Sequence, residues 1–349
     1  MNRLIVKRLA LAVLVTLSAG AVSAQEGRRS WAEFAPNTAS DWRPPRTEFG
    51  HPDMQGTWLF GSRTPLQRPM NLGNQRSYTP AEAAAIEQRL SRRNQMQDAP
   101  LDPNRDAPEA GAVIRQEADD TFLAHLQRPE LVPVSGEYRT SVIVDPPDGR
   151  IPRREDFQDY HAQIRAAGLG NTDGPEGQPL SGRCVMFGGA VPNLTPIMMN
   201  PNLQIVQIRD YVMIMTEMVH DARIIRLDAE HFEHDIPRWM GDSVGRWEND
   251  TLVVQTLNFR PEQSSSRGFP VSGQMEIEER YTLVADDQIL YSFTVTDPEA
   301  LTQPVTGERM MLRNAPEEKI YEFACHEGNY SLDAILRGAR RQEVDAEFQ

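Results

Sequence analysis

Groups suited to acid–base chemistry are concentrated in one short stretch of the chain, at Glu217, His220, Asp221, Arg223 and Arg226. A histidine exchanges a proton near neutral pH, and an arginine can hold a carboxylate or stabilise negative charge that develops in a reaction. Side chains alternate along a strand, so Asp221 and Arg223 would share one face while His220 and Arg226 share the other with apolar neighbours. The pattern predicts a cavity wall that carries an acid–base histidine. Structural ion pairs at the rim of a barrel are the alternative.

Two further stretches add candidate acid–base groups. Glu279 is the one acidic residue on an apolar strand face that runs from Met275 to Leu283, and a carboxyl group buried there could act as an acid or a base. Pairing with an arginine is the alternative role for such a glutamate. Near the C-terminus, Glu322 and His326 would share a strand face, which makes His326 a second candidate for proton transfer. The aromatic side chains that could line a ligand site, or simply fill the core, are Trp239, Trp247, Tyr281 and Tyr330.

The segment Gly241–Gly245 matches the Gly-x-Ser-x-Gly nucleophile elbow of serine hydrolases. The elbow needs a strand before the serine and a helix after it, whereas a β-rich sequence follows here. We therefore interpret the segment as a tight loop between strands, with a serine hydrolase as the alternative.

His231 and His234 could join His220 or His326 in a metal site. Residues three positions apart point to opposite faces of a strand, and the sequence has no His-Glu-x-x-His motif, so a solvated acidic loop is the better interpretation. The sequence also has no glycine-rich nucleotide-binding loop and no EF-hand loop. We predict a protein that uses neither a metal nor a cofactor.

Short runs of alternating apolar and polar residues, joined by tight turns, dominate the second half of the chain. Such runs are typical of antiparallel hairpins, and a regular alternation of strands with helices is not found. The predicted strands are Gly56–Phe60, Arg139–Val144, Leu203–Ile208, Tyr211–Glu217, Ala222–Leu227, Thr251–Phe259, Met275–Val284, Gln288–Thr296, Arg309–Arg313 and Lys319–Cys325.

The first of these strands contains a Gly-x-Trp motif at Gly56–Trp58, which resembles the opening of lipocalin-like barrels. Together with the hairpins that follow, the motif favours an all-β fold, an antiparallel lipocalin- or calycin-like β-barrel of about 8–10 strands with short peripheral helices. A barrel of this size can hold one small ligand in its interior.

The first 24 residues predict a signal peptide, with a basic start, an apolar stretch at Leu9–Ala19 and the small-residue pattern Val22–Ala24. The apolar stretch is shorter than the roughly 20 residues that a spanning helix needs, so we expect cleavage after Ala24 and a periplasmic or secreted location. Residues 25–50 are interpreted as an extended arm. Residues 51–349 are interpreted as one barrel domain, interrupted at 79–111 by a helix and a proline-rich insertion.

Composition argues against some partners and favours a disulfide. With 36 Lys and Arg against 50 Asp and Glu, the net charge of −14 argues against binding to nucleic acid or to anionic membrane. We expect no membrane insertion, and the sequence leaves the oligomeric state open. In an oxidising compartment Cys184 and Cys325 are expected to form a disulfide, which would stabilise the fold by roughly 4–5 kcal/mol in the chain-entropy model. A redox or nucleophilic thiol is the alternative.

Four blocks of sequence resemble a large family of secreted bacterial proteins whose function is uncharacterised. The blocks are RTSVIVDPPDGRIP at 139–152, HDARII at 220–225, GDSVGRWENDTLVV at 241–254 and YEFACHEGNY at 321–330. The resemblance implies export and one continuous domain. It implies no catalytic residue and no cofactor.

Two functions from different classes follow from these patterns. The first is an exported, cofactor-independent lyase, isomerase or hydrolase acting on a small apolar or aromatic molecule, with His220 or His326 moving protons and Arg223 or Arg226 stabilising an oxyanion. The second is a non-catalytic periplasmic carrier of the same class of ligand, in which the polar residues only orient it. An envelope interaction protein that uses the acidic surface is a third alternative.

Overall fold

The computed structural model describes residues 42–97, 131–186, 201–233, 236–263 and 268–347. The predicted signal peptide and the proline-rich part of the predicted insertion lie outside the described residues. In chain order the strands are β1 (Gly56–Leu59), β2 (Ser77–Tyr78), β3 (Tyr138–Arg139), β4 (Ile143–Asp145), β5 (Asn202–Gln207), β6 (Tyr211–Thr216), β7 (Ala222–Leu227), β8 (Asp242–Glu248), β9 (Thr251–Leu257), β10 (Glu276–Ala285), β11 (Gln288–Thr296) and β12 (Val305–Arg313).

Nine of these strands close into a barrel, in the order β1-β5-β6-β7-β8-β9-β10-β11-β12 and back to β1. β1 closes the ring because it pairs with two strands at once, so that Trp58 lies opposite both Leu203 of β5 and Arg313 of β12. Closure pairs the strand edges that an open sheet would leave exposed. The all-β barrel expected from the sequence is confirmed, and β4 adds a further strand beside β12.

One junction of the barrel is parallel, which the expected antiparallel meander does not include. β7 and β8 run in the same direction, and residues 228–241 carry the chain back between them. Such a pair needs a connection of about a dozen residues instead of a tight turn. The prediction of a tight loop at Gly241–Gly245 is wrong, because Asp242–Glu248 forms β8. The outward positions of β8 include Asp242 and Arg246, whose charges mask the strand pattern in the sequence.

The prediction of a strand at Lys319–Cys325 is also wrong. The segment has no regular secondary structure, and the side chain of Tyr321 is 70% exposed. The barrel already closes through β1 and β12, so it offers this segment no free edge to join. Glu322 and His326 therefore do not share a strand face.

The side chains that point into the barrel are closed off from solvent. On β10 and β11 they include Ile277, Tyr281, Tyr291 and Phe293, each at most 1% exposed. Inward and outward residues alternate along both strands, as the period of two requires. The interior is therefore lined mainly by aliphatic and aromatic groups.

Segments outside the strands cover both ends of the barrel. At one end lies the segment that precedes β1, residues 42–55, which is called the arm from here on. It is held by Met54, whose N–H donates to Gln207 Oε1 at 2.7 Å and whose carbonyl accepts from Trp58 Nε1 at 2.9 Å. At the other end the chain after β9 packs Phe259 and Phe269 against the same core. The strands thus hold the interior residues in place, and these covers separate them from water.

Three helices flank the barrel in the described part of the chain: α1 (Pro80–Gln97), α2 (Tyr160–Ala166) and α3 (Tyr330–Glu347). α1 begins at the capping motif seen in the sequence, where Thr79 N donates to Glu82 Oε2 at 2.7 Å and Glu82 N donates to Thr79 Oγ1 at 3.3 Å. The sequence patterns do not predict α3, which contains no buried residue. None of the described helices combines the length and the apolar character that crossing a membrane requires.

The expected disulfide between Cys184 and Cys325 is confirmed. Next to it, Asn329 Nδ2 donates to Gly182 O at 2.8 Å. These two contacts fasten the chain that follows β12 to the loop around residue 184.

Gly307 on β12 is required by the close approach of Phe293, which stands opposite it on β11. A Cβ atom at residue 307 would lie 2.3 Å from Phe293 Cζ, whereas a Cβ atom at Gly273 would meet nothing within 4 Å. We expect Gly307→Ala to lower the free energy of unfolding by about 1–3 kcal/mol, the usual cost of overpacking a core. The control Gly273→Ala should change it by less than about 0.5 kcal/mol. Denaturant unfolding measures both values, and equal effects of the two substitutions would contradict the close approach.

Candidate functional site

An ion pair lies inside the barrel, between Arg223 on β7 and Glu279 on β10. Arg223 Nη1 donates to Glu279 Oε2, and Arg223 Nη2 donates to Glu279 Oε1 at 3.1 Å. The two side chains are 2% and 0% exposed. The structure thus gives Glu279 the paired role that was the alternative in the sequence analysis. Two parallel hydrogen bonds fix the plane of the carboxylate relative to the guanidinium group.

Two tyrosine hydroxyl groups complete this network. Tyr281 Oη and Tyr291 Oη donate to Glu279 Oε1 at 2.8 and 2.9 Å. Arg223 also donates to Tyr281 Oη at 3.1 Å and to Thr256 Oγ1 at 3.3 Å. Burial raises the pKa of Tyr291, and the negative charge of Glu279 raises it further. Burial alone would lower the pKa of Arg223, but the charge of Glu279, its hydrogen bond and the two tyrosines together outweigh burial and raise it. The network therefore consists of an ion pair whose carboxylate also accepts hydrogen bonds from two tyrosine hydroxyl groups.

A second guanidinium group inside the barrel, that of Arg309 on β12, has no carboxylate partner among the described residues. The residue is 3% exposed, and its Nη1 donates to Phe60 O at 3.2 Å. Its Cζ atom lies 5.4 Å from the ring centroid of Phe60 and 5.5 Å from that of Tyr291. Within the described structure, Nε and Nη2 of Arg309 are buried without a hydrogen-bond partner.

Burial is unfavourable for the charge of Arg309. The pKa of Arg309 is lowered to about 10, because the neighbouring groups Tyr291, Tyr281 and Glu279 only partly oppose the effect of burial. A change of this size corresponds to about 3 kcal/mol against the charged form. Among the described residues, Arg223 and Arg309 lie near a single carboxylate, Glu279, so the described cluster carries one surplus positive charge.

Three members of this cluster, Thr256, Tyr291 and Arg309, are not among the predicted site residues. Tyr291 could have been found from strand alternation, because it shares the inward face of β11 with Phe293. Arg309 is harder to find, because the predicted strand begins at this residue. β12 begins at Val305, and only that longer strand shows that Arg309 belongs to the inward row.

The face of β7 that points into the barrel is the opposite of the one expected from the sequence. Arg223 points inward and is 2% exposed, whereas Ile224 points outward and is 51% exposed. The prediction that Arg226 lines a cavity is wrong, because Arg226 lies on the outer face in a salt bridge. His220 ends a short 3-10 turn before β7, and its side chain is outside the described set. Asp221, which follows the turn, is half-buried.

On the outer face, Asp242 holds the connection between β7 and β8 against the barrel. Its carboxylate accepts from Arg226 Nη2 at 2.9 Å and from Phe232 N at 2.8 Å, and lies 3.1 Å from His231 Nδ1. The Phe232 ring contacts the guanidinium groups of Arg226 and Arg238, with its centroid 3.6 and 4.6 Å from their Cζ atoms. Burial alone would raise the pKa of Asp242, but these hydrogen bonds and the charge of Arg226 lower it.

The histidines considered as alternative metal ligands do not meet in the described structure. His231 is held by Asp242, His234 lies outside the described residues, and His326 is exposed in the segment after β12. Across the described ranges, no group of three His, Cys, Asp or Glu side chains is placed to hold a metal ion.

Packing accounts for the Gly-x-Ser-x-Gly motif. Gly241 has a φ of +67°, and a Cβ atom there would lie 2.6 Å from Thr256 Cγ2. Gly245 points into the barrel, where a Cβ atom would lie 2.7 Å from Ile225 Cγ2. Ser243 is buried within β8, with its Oγ 2.8 Å from Thr256 Oγ1. The segment therefore lacks the strand-to-helix turn that a nucleophile elbow needs.

Of the four predicted aromatic contacts, Tyr281 alone joins the network. Trp247 stacks on His51 with ring centroids 4.8 Å apart. Trp239 is half-buried and packs against a guanidinium group 4.5 Å from its ring. Tyr330 lies at the start of α3 and is 79% exposed. The interior cluster of Arg223, Glu279 and their neighbours is therefore the candidate site.

Comparison with models of protein families, with curated proteins and with solved structures finds no match for this chain. The resemblance to secreted bacterial proteins, which rests on four blocks of sequence, stays a prediction. Function is therefore inferred from the geometry of the site itself.

Removal of the negative charge of Glu279 would leave Arg223 buried without a counter-ion. We expect Glu279→Gln to lower the free energy of unfolding by about 3–5 kcal/mol. In the double variant Arg223→Met/Glu279→Met most of this loss should be recovered, because neither member of the pair is then left buried without its counter-ion. Glu248→Gln is the surface control: Glu248 pairs with Arg280 at 2.7 Å, but both side chains are 38% exposed and solvent screens the pair. Guanidinium chloride unfolding of the variants measures the differences, and similar losses for the two glutamate variants would contradict a buried ion pair.

The lowered pKa of Asp242 predicts a pH dependence of the outer cluster. A carboxyl group whose pKa in the folded state lies below its unfolded value, about 3.9, stabilises the fold above that pH and loses this effect as the pH falls through the folded value. We expect the wild type to be about 1–3 kcal/mol more stable than Asp242→Asn at pH 7. The difference should shrink as the pH falls below about 4. Denaturant unfolding of both proteins from pH 7 to pH 3 measures it, and a constant difference would contradict the lowered pKa.

Proposed function

We propose that this protein is an exported, lipocalin-like carrier that binds a small, largely apolar or aromatic molecule inside its barrel. The observation that carries the proposal is a buried polar network within an interior otherwise lined by aliphatic and aromatic side chains. Ligand sites in proteins are mostly apolar and contain a few placed polar groups that orient the ligand. A barrel of about eight to ten strands encloses enough space for one small ligand or for the side chains that fill it.

Export is part of the proposal and is supported by the disulfide between Cys184 and Cys325. Disulfides persist in oxidising compartments and are rare in the cytosol. The small-residue pattern that ends at Ala24 points to the same compartment. A carrier in that compartment would meet small molecules that reach the cell from outside.

The ligand has to pass one end of the barrel, because the inward side chains are closed off from solvent. We place its path at the end covered by the arm. The outer contacts of the arm are an ion pair between Arg46 and Asp250, 46% and 40% exposed, and a hydrogen bond of 3.3 Å from Trp42 Nε1 to Asp286 Oδ1. Exposed contacts of this kind contribute little to stability, so the outer part of the arm can move away at low cost, while the buried contacts of Met54 hold its inner part.

Catalysis is the second candidate function, and one observation favours it. Ser243, Thr256, Arg223, Glu279 and Tyr291 form a continuous chain of hydrogen bonds. In an enzyme Tyr291 would donate its proton to the substrate and recover one later from the product or from solvent, while the carboxylate of Glu279 orients its hydroxyl group. This is the role first expected of the histidines. The carrier is favoured because Glu279 already accepts from Arg223 and from two tyrosines, and because the raised pKa of Tyr291 makes its hydroxyl a weak acid.

Protein purified from the periplasm of its own host should carry a ligand. We expect its native mass spectrum to contain an organic molecule that is released on denaturation. A panel of small probes (benzoic acid, benzamide, octanoic acid and octanamide) should also include members that raise the melting temperature, since a ligand present at 100 times its Kd adds about 2.7 kcal/mol. A bare polypeptide mass, combined with no shift by any probe, would contradict binding.

Tyr291→Phe separates the two candidate functions. A carrier should leave the identified ligand chemically unchanged, and its Kd should change by no more than about tenfold when one hydroxyl group is removed. If the wild type converts the ligand and Tyr291→Phe does not, the protein is an enzyme and the carrier proposal is overturned. Product analysis by mass spectrometry and calorimetric titration give the two readouts.

A further inference from the structure

We infer that the molecule bound in the barrel carries one anionic group, a carboxylate, and that Arg309 is its partner. The inference rests on the proposed function, because it places the anion on a ligand of the barrel interior. It starts from a guanidinium group whose hydrogen-bonding capacity the described chain uses only in part.

Arg309 presents one free edge of its planar guanidinium group. Nη1 donates to Phe60 O at 3.2 Å, while in the described structure Nε and Nη2 have no partner. Nε and Nη2 lie side by side along one edge of the plane, and a carboxylate binds that edge through two parallel hydrogen bonds. The unused donors therefore match the shape of a carboxylate as well as its charge.

The charges near Arg309 leave one positive charge to be balanced. Arg223 binds both oxygens of Glu279, so that carboxylate already has its counter-ion. No acidic side chain in the described ranges forms an ion pair with Arg309, whose nearest polar contact is the Phe60 carbonyl. A monoanion would restore neutrality in this interior. A phosphate group, with a charge near −2, would leave a surplus negative charge buried instead.

Aromatic rings beside Arg309 define the body of the ligand. Phe60 and Tyr291 lie within 5.4 and 5.5 Å of its Cζ atom. Tyr291 packs against Phe293 with ring centroids 5.9 Å apart, and Phe293 packs against Phe269 at 6.1 Å. A continuous apolar wall next to a cationic edge suits a molecule with one acidic end and an aromatic or aliphatic body. The ligand class is therefore a small aryl or alkyl carboxylic acid in its ionised form.

Matched pairs of acids and amides test the inference on the full chain. Benzoate and benzamide, like octanoate and octanamide, have nearly the same shape and differ in charge. We expect the wild type to bind each acid at least about tenfold more tightly than its amide in calorimetric titrations at pH 7. Arg309→Met should reduce this ratio to about one, and Arg309→Lys, which keeps the charge but lacks the planar edge, should give an intermediate ratio.

The surface variant Arg209→Met is the matched control. Arg209 is exposed, with its Cζ atom 5.1 Å from the ring centroid of Phe49, and the substitution should leave the acid-to-amide ratio at the wild-type value. A reduced ratio in this variant would mean that the general charge of the protein selects acids, and would overturn the role of Arg309. Circular dichroism checks the fold of each variant. If Arg309→Met does not fold, the acid-to-amide ratios of Arg309→Lys and Arg309→Gln are compared with the wild-type ratio instead.

The remaining outcomes separate this inference from the proposed function. Equal affinities of acids and amides for the wild type would overturn the inference and leave the carrier intact. Failure of all four probes to bind would overturn the inference, and together with a bare polypeptide mass it would overturn the proposed function as well. Inorganic phosphate that bound as tightly as the organic acids would assign the guanidinium edge to a free anion and overturn the ligand class.

Discussion

The ion pair between Arg223 and Glu279 is the interaction on which the barrel interior depends. β7 and β10 are not neighbours in the sheet, since β8 and β9 lie between them, so the pair joins two separate parts of the wall. Two charges removed from water are stabilised only if their attraction and further hydrogen bonds replace the lost hydration. Tyr281 and Tyr291 supply the further bonds. Loss of either charge would leave the other one buried without its counter-ion.

The same constraint makes Arg309 an exception. Glu279 is already saturated by Arg223 and the tyrosines, so Arg309 is left with a carbonyl and two aromatic rings. A desolvated contact between a cation and a ring contributes about 2 kcal/mol in favourable cases, whereas the burial of an ion costs several. The rings and the carbonyl therefore offset only part of the cost. A residue that remains buried under such conditions is better explained by an anionic ligand than by the stability of the fold.

The sequence predicts the barrel well because strands depend on an alternation that is visible in every hairpin. The sequence predicts less well which face of a strand points into the barrel when both faces carry an aliphatic residue and a charge. On β7, Ile224 is 51% exposed while Arg223 is 2% exposed, the reverse of the usual rule. β8 is not predicted because most of its outward positions are charged. A strand is wrongly predicted at Lys319–Cys325 because the alternation of residue types cannot show that the barrel is already closed. Arg309 is missed because contacts between distant strands leave no local pattern.

The charges on β7 also decide which of its faces is the inner one. Hydrophobic burial distinguishes the two faces only through Leu227, which packs on the core, because a shift of one residue would otherwise exchange Ile225, now inside, for Ile224. The acidic residues can decide it, since Glu279 lies inside and Asp242 lies outside. Arg223 and Arg226 are three positions apart, so they face opposite ways and each meets one acid. A strand shifted by one residue would turn Arg223 outward and place Arg226 two or four positions from the place that Arg223 now occupies, roughly 7 or 13 Å along the barrel depending on the direction of the shift. Charge pairing therefore specifies the register of β7, and it brings Arg223 to the network while Ile224 stays at the surface.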